Sequence, residues 1–275
     1  MEGPGSKGSI NKSMDSTSQT LPQRPLGNTG LGVSLLGLGL VKIGRNTGVK
    51  YPQGFELPSD AEILVLLQTA QELGVTLLDT APAYGSSEER LGKALKQLPQ
   101  LRSQCVISSK VGESFDNGRS TFDFTEYAIK SSIERSLARL GVDKLDIALV
   151  HSSGDDEQIL NQYQPLATLQ QLQYEGLIGA CGFSGKSLSG SRLALELGAE
   201  VLMVTLNESD QVARPLLRES AERGAGVLIK KPIASGHGDP QQIRVTADNH
   251  GVSSLVVGTL NPEHLAANAA LLQGL

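Results

Sequence analysis

From residue 33 onward, short apolar runs alternate with longer segments whose apolar residues recur at helical spacing. Eight runs read as strands: 34–41 (SLLGLGLV), 75–79 (VTLLD), 105–111 (CVISSKV), 144–151 (KLDIALVH), 178–184 (IGACGFS), 201–207 (VLMVTLN), 226–232 (GVLIKKP) and 254–259 (SLVVGT). Most are apolar throughout instead of alternating, the pattern of strands covered on both faces. The intervening segments carry helix punctuation. Ser59 and Glu62 form a capping box ahead of Ile63, Leu66, Leu67, Ala70 and Leu73, and Gly74 ends that run. Asp123 and Glu126 stand in the same relation before Ile129, Ile133, Leu137 and Leu140, with Gly141 as the stop. Asn261 and Pro262 read as the N-cap and first residue of the last helix. Eight strand–helix units predict an α/β chain folded as a (β/α)8 TIM barrel. Regular repetition favours closure over an open doubly wound sheet, and no G-x-G-x-x-G follows the first strand. Asn28-Thr29-Gly30, a turn within 24–34, predicts a short N-terminal β-hairpin capping the barrel bottom.

Composition narrows the function. With 275 residues the chain accommodates a single large barrel, taken as 23–275, and 39 % hydrophobic residues supply its core. Residues 1–22 begin with a Gly-, Ser- and Lys-rich stretch without the apolar centre of a signal peptide; they read as a disordered tail or a remnant added for expression. The net charge of -5 and the absence of basic runs argue against nucleic acid as a partner. No apolar run approaches the roughly 20 residues that cross a bilayer, so no membrane partner is expected either. Cys105 and Cys181 sit in apolar runs as reduced core thiols, consistent with a cytoplasmic protein, monomeric or weakly oligomeric.

In a barrel of this kind chemistry gathers at the carboxyl ends of the strands. The second strand ends in Asp79 and its loop carries Tyr84; the third has Lys110 near its end; the fourth ends in His151. A lysine near a tyrosine favours phenolate and lowers the phenol's pKa, while a carboxylate keeps that lysine charged and in place. A histidine hydrogen-bonds a substrate oxygen or relays a proton. Singly, each has an ordinary structural reading: a cap, a loop anchor, a core histidine. Together they form a proton donor beside a hydrogen-bonding group for a carbonyl. No cluster among the four histidines (151, 237, 250, 264) has metal-ligand character, which disfavours a metal-dependent barrel hydrolase. Asp155 and Asp156, just past His151, read as solvated loop acids or as contacts for substrate hydroxyls.

The motifs LGNTGLGVSLLGLG, LLDTAPAYGSSEERLGKAL, VISSKVG, SIERSLARLGVDKLDIALVH, GFSGKS and VVGTLNPEHLAAN resemble those of the aldo-keto reductase superfamily, in order, over roughly residues 24–273. The resemblance implies a nicotinamide cofactor, usually NADP(H), bound without a Rossmann fold, and a catalytic tetrad of Asp79, Tyr84, Lys110 and His151. Tyr84 would be the general acid in carbonyl reduction and the base in alcohol oxidation. It further implies cofactor contacts at Ser184, Asn207 and Lys230, and at Gly258, Thr259, His264 and Asn268 around the last helix. A loop running into a helix N-terminus independently suits phosphate groups. Several positions depart from the usual pattern. Gly185 stands where asparagine is common, Asn207 is the amide nearest an expected glutamine, and Lys230 replaces a stacking aromatic. Gly258 and His264 stand where basic residues often hold the 2′-phosphate, so NADP has NAD as its alternative. The implied activity is hydride transfer between that cofactor and an aldehyde, ketone or sugar. The alternative is a cofactor-binding regulatory or redox-sensing protein of the same fold.

Overall fold

The computed structural model describes residues 21–275. Of the segment assigned to a tail, residues 1–20 lie outside the described residues. Leu21 is buried against the core, and the Pro22 carbonyl accepts a hydrogen bond from the Leu35 N–H (2.8 Å). An antiparallel hairpin comes first, β1 (Gln23–Pro25) and β2 (Gly32–Ser34), paired from Gln23↔Ser34 to Pro25↔Gly32. Then follow β3 (Leu36–Gly39), β4 (Leu77–Asp79) and β5 (Val106–Val111). A second hairpin, β6 (Glu113–Asp116) with β7 (Arg119–Phe122), interrupts the series. The chain continues with β8 (Leu145–His151), β9 (Ile178–Ser184), β10 (Val201–Thr205), β11 (Gly226–Lys230) and β12 (Ser254–Val257). The eight strands outside the hairpins are parallel, and β12 pairs back onto β3 through Leu255↔Leu36, closing a barrel.

Two apolar layers account for the closure. Inside the barrel, Leu77, Val106, Ile147, Leu149, Val201, Met203, Leu228 and Val256 fill the lumen, and Leu26 and Val33 from the first hairpin plug its amino-terminal end. Outside, the other face of each strand meets the helices: Ile63, Leu66, Leu67 and Ala70 of the helix Asp60–Glu72, for example, are buried at the 3.6-residue period. The Ser59–Glu62 capping box is present, with the Glu62 carboxylate accepting from the Ser59 N–H at 2.7 Å. Asn261 caps the last helix (Pro262–Ala270) by accepting from the Glu263 N–H.

Three local expectations are corrected. The strand runs at 34–41, 201–207, 226–232 and 254–259 are trimmed to β3, β10, β11 and β12, because their polar or glycine-containing ends turn into the loops. The helix Glu126–Leu140 is capped by Thr125, not Asp123; the Asp123 carboxylate instead accepts from the Thr125 N–H and hydroxyl, so the cap lies two residues further on. Asp156 is not a solvated loop acid. It is 2 % exposed and accepts from the Ser152 hydroxyl, the backbone N–H groups of Lys186 (2.8 Å) and Ser187 (2.6 Å), and the Ser187 hydroxyl. Its burial follows from the approach of the loop after β9. Among the described residues no helix is long and apolar enough to cross a membrane.

Candidate active site

The parallel register brings the predicted groups to one end of the barrel. Asp79 ends β4 opposite Ser108 of β5, Lys110 lies opposite Leu149 of β8, and His151 ends β8 opposite Ser184 of β9. Tyr84 closes a 3-10 turn, Pro82–Tyr84. That turn is held close by Gly44, where a Cβ would stand 2.4 Å from the Tyr84 carbonyl and 2.1 Å from the Ser87 nitrogen, so any larger residue would push the loop away. All four groups line a single cavity of about 790 Å³.

The Lys110 ammonium is 1 % exposed and donates to both Asp79 carboxylate oxygens (2.8 Å each) and to the Thr80 carbonyl (3.0 Å). Ser108 donates a further hydrogen bond to Asp79. Lys110 Nζ lies 4.7 Å from the Tyr84 ring centroid. Burial works against the charged lysine, but Asp79 and Tyr84 outweigh it and hold its pKa above the ordinary value. Tyr84 departs from the sequence-based expectation. Burial raises its pKa above that of a free phenol, and the lowering contributed by Lys110 only partly opposes this. The phenol is therefore a protonated donor at neutral pH, with a lysine in place for the phenolate left after donation.

The ring of His151 meets Tyr84 edge to face, with centroids 6.3 Å apart. Its Nδ1 lies 2.9 Å from Oε2 of Glu113, a residue that sequence reading did not single out. A carboxylate two positions beyond the third barrel strand was the available signal, but its meaning depends on the second hairpin, which the hydrophobic pattern does not reveal.

The residues expected at the cofactor divide into two groups. Ser184, Lys230, Gly258 and His264 line the cavity with the tetrad. Asn207, Thr259 and Asn268 do not. The Asn207 side chain is taken up by the Lys231 carbonyl (3.0 Å) and by the N–H groups of Ser209 and Asp210, shaping the adjoining loops. Thr259 accepts from the Asn261 N–H, and Asn268 is buried in the last helix. Lys230 donates to Ser184 Oγ (3.0 Å) and to the Gly185 carbonyl (2.9 Å), and among the described residues it is in no salt bridge. Burial, with help from Lys231 and Lys110, pulls its pKa down to about 7.

The lining holds six lysines (42, 50, 110, 186, 230 and 231) against one carboxylate, Asp79. Among the described residues only Lys110 of these is in an ion pair. Where Gly258 meets the cavity, a Cβ would stand 3.0 Å from the Tyr51 hydroxyl, so the bare backbone keeps a narrow cleft open between the first and last loops. An elongated, multiply anionic dinucleotide fits a lining with this excess of lysines over carboxylates.

A closed parallel barrel with a lysine-backed tyrosine at the strand ends is the framework of a carbonyl–alcohol oxidoreductase. The chain belongs to the aldo/keto reductase family: the family model matches residues 35–238. It is 31 % identical over 223 residues to L-galactose dehydrogenase of Arabidopsis thaliana (78 % of this chain, 66 % of the relative). It is 29 % identical over 235 residues to D-threo-aldose 1-dehydrogenase of a Pseudomonas species (75 % and 68 %), and 28 % over 229 residues to NADH-specific methylglyoxal reductase of Escherichia coli (77 % and 67 %). The chain spans about two thirds of the length of these curated relatives. A crystal structure from Pseudomonas aeruginosa, described as an aldo-keto reductase, is 44 % identical with a TM-score of 0.84, covering 93 % of this chain and 97 % of that one.

Proposed function

We propose that this chain transfers a hydride between NADP(H) and a small carbonyl or alcohol, an aldehyde, ketone or sugar, with NAD(H) as the alternative cofactor. The observation that carries the reading is the Asp79–Lys110–Tyr84–His151 constellation on one cavity, with Lys110 held by Asp79 and Thr80 beside the Tyr84 ring. A regulatory protein that merely sensed its cofactor would have no use for a half-buried, charge-backed phenol.

When bound, the nicotinamide supplies or takes up the hydride. Ser184 and Lys230 would face it, and the Gly258–His264 loop with the neighbouring lysines would take the adenosine and phosphates. The remaining chemistry belongs to the protein. In reduction the Tyr84 hydroxyl gives its proton to the substrate oxygen, and Lys110 stabilises the resulting phenolate. Asp79 fixes Lys110 and balances its charge in the interval, so the pair is preorganised. In oxidation the same phenolate accepts the alcohol proton. His151 faces the substrate oxygen from the neighbouring strand.

Binding of NADPH and NADH, followed by thermal stabilisation or cofactor fluorescence, tests the reading. A lack of binding by both overturns it. Tyr84→Phe is then expected to bind cofactor as the wild type does and to lose about 10²- to 10⁴-fold in kcat on an aldehyde panel. Retained turnover in that variant refutes the role given to Tyr84.

A further inference from the structure

The lysines around the cavity differ in where the fold puts them. Lys42 and Lys50 belong to the segment after β3, Lys186 to the loop after β9 and Lys231 to the loop after β11; Lys110 and Lys230 stand on barrel strands. The charge of Lys110 is balanced by Asp79. Lys230 closes β11, opposite Thr205 of β10 and Val256 of β12, neither of them ionisable. Its stem spans β10 and brings Nζ to the Ser184 hydroxyl and the Gly185 carbonyl, and Ser184 is itself in register with His151 of the tetrad. An ammonium is thus held by two uncharged groups at the reacting end of the cavity. Met203 and Val256 make the neighbouring lining apolar, so a charge there is poorly screened.

Hydride and proton add to the two ends of one C=O bond, so the ring that exchanges the hydride has to reach the end of the cavity that holds Tyr84. Its charge then matters, because a reduced nicotinamide ring is neutral and an oxidised one is positive. We propose that Lys230 is a specificity-determining residue for the redox state of the cofactor: its ammonium accepts the neutral reduced ring as a neighbour, and the positive oxidised ring binds only once that ammonium has given a proton to solvent. The proposal rests on the oxidoreductase reading above and adds a direction to it. A site that holds the reduced form more tightly is loaded for carbonyl reduction and releases its oxidised product readily.

The charges around Lys230 leave its proton loosely held. Lys231 beside it, Lys110 of β5 and Lys186 of the loop after β9 repel that proton, and the Lys230 charge bears on His151 at the end of β8. Asp156 is the carboxylate that opposes them, and it is already shared among the hydroxyls of Ser152 and Ser187 and the N–H groups of Lys186 and Ser187. With burial added, the Lys230 pKa comes to about 7, within reach of one more positive neighbour. Lys110 cannot respond in the same way, because Asp79 and Tyr84 hold its pKa above the ordinary lysine value. An oxidised ring that needs the neutral amine has its affinity scaled by the neutral fraction, about one tenth at about pH 6 and nearly the whole at about pH 8.5.

Titration calorimetry of NADPH and NADP⁺, and of NADH and NAD⁺, tests this without turnover. The ratio of oxidised to reduced Kd within one pair cancels the titration of the 2′-phosphate, which both members share. In the wild type that ratio is expected to be about tenfold larger at about pH 6 than at about pH 8.5. Heats in buffers of different ionisation enthalpy should show about one proton released per oxidised cofactor at about pH 6, and none per reduced cofactor. Lys230→Met is expected to give the same ratio at both pH values and no proton release. Lys230→Arg, charged throughout, should keep the ratio high at both. A wild-type ratio that does not change with pH, or a change that survives in Lys230→Met and so belongs to another group such as His151, overturns the proposal. Equal binding of oxidised and reduced forms at about pH 6 overturns it while leaving the oxidoreductase reading intact, whereas no binding of any of the four overturns both.

Discussion

Lys230 is a half-buried cation that forms no salt bridge among the described residues, and its replacement by methionine should stabilise the protein in a pH-dependent way. Its pKa falls to about 7 in the folded state against about 10.4 in an unfolded chain. A folded-state pKa below the unfolded value means that charging the lysine penalises the fold. The penalty is fully present below about pH 7 and vanishes as pH rises past about 10.4. A difference of about 3 pH units corresponds to about 4–5 kcal/mol at the limit. Lys230 is partly reached by solvent through the cavity, and its hydrogen bonds to Ser184 and Gly185 recover something, so about 2–3 kcal/mol is the working figure. Methionine keeps the stem length and removes the charge. Lys230→Met should therefore raise Tm by about 4–12 °C at pH 6, measured by calorimetry without cofactor, with more than half of the gain gone by about pH 9. An equal gain at both pH values, or a lower Tm at pH 6, would show that the lysine is not strained by burial.

Other expectations follow from the same contacts. Asp79→Asn leaves the Lys110 ammonium buried and without its carboxylate, so a loss of about 3–5 kcal/mol in denaturant unfolding is expected together with loss of turnover; a stability within 1 kcal/mol of wild type, a limit about as fine as such unfolding resolves, would contradict the pairing. Asp156→Ala strands the N–H groups of Lys186 and Ser187 and loosens the loop that follows Ser184. A cost of about 2–4 kcal/mol and weaker cofactor binding should appear together, and an unchanged Tm would show the network to be dispensable.

The sequence by itself determined the architecture and the kind of chemistry. Continuous apolar runs can be buried only between two layers, and eight of them alternating with capped helices leave a closed barrel as the regular solution. Asp79, Lys110 and His151 were legible because they interrupt such runs at their carboxyl ends, where a polar residue has no packing reason to be. The first hairpin was legible from its turn residues.

What lay beyond the sequence depends on contacts between loops, which follow no period. Glu113 gains its meaning only when Gly112 turns the chain into a hairpin that returns over β8. Asp156 is buried only because the segment after β9 brings two backbone N–H groups to it. The direction of the Tyr84 shift was likewise decided by tertiary structure. The neighbouring lysine could be read from strand order, but the degree of burial that outweighs it could not. Local sequence fixes which face of an element is apolar. How deep a charge lies, and what stands opposite it, is set by groups distant in the chain.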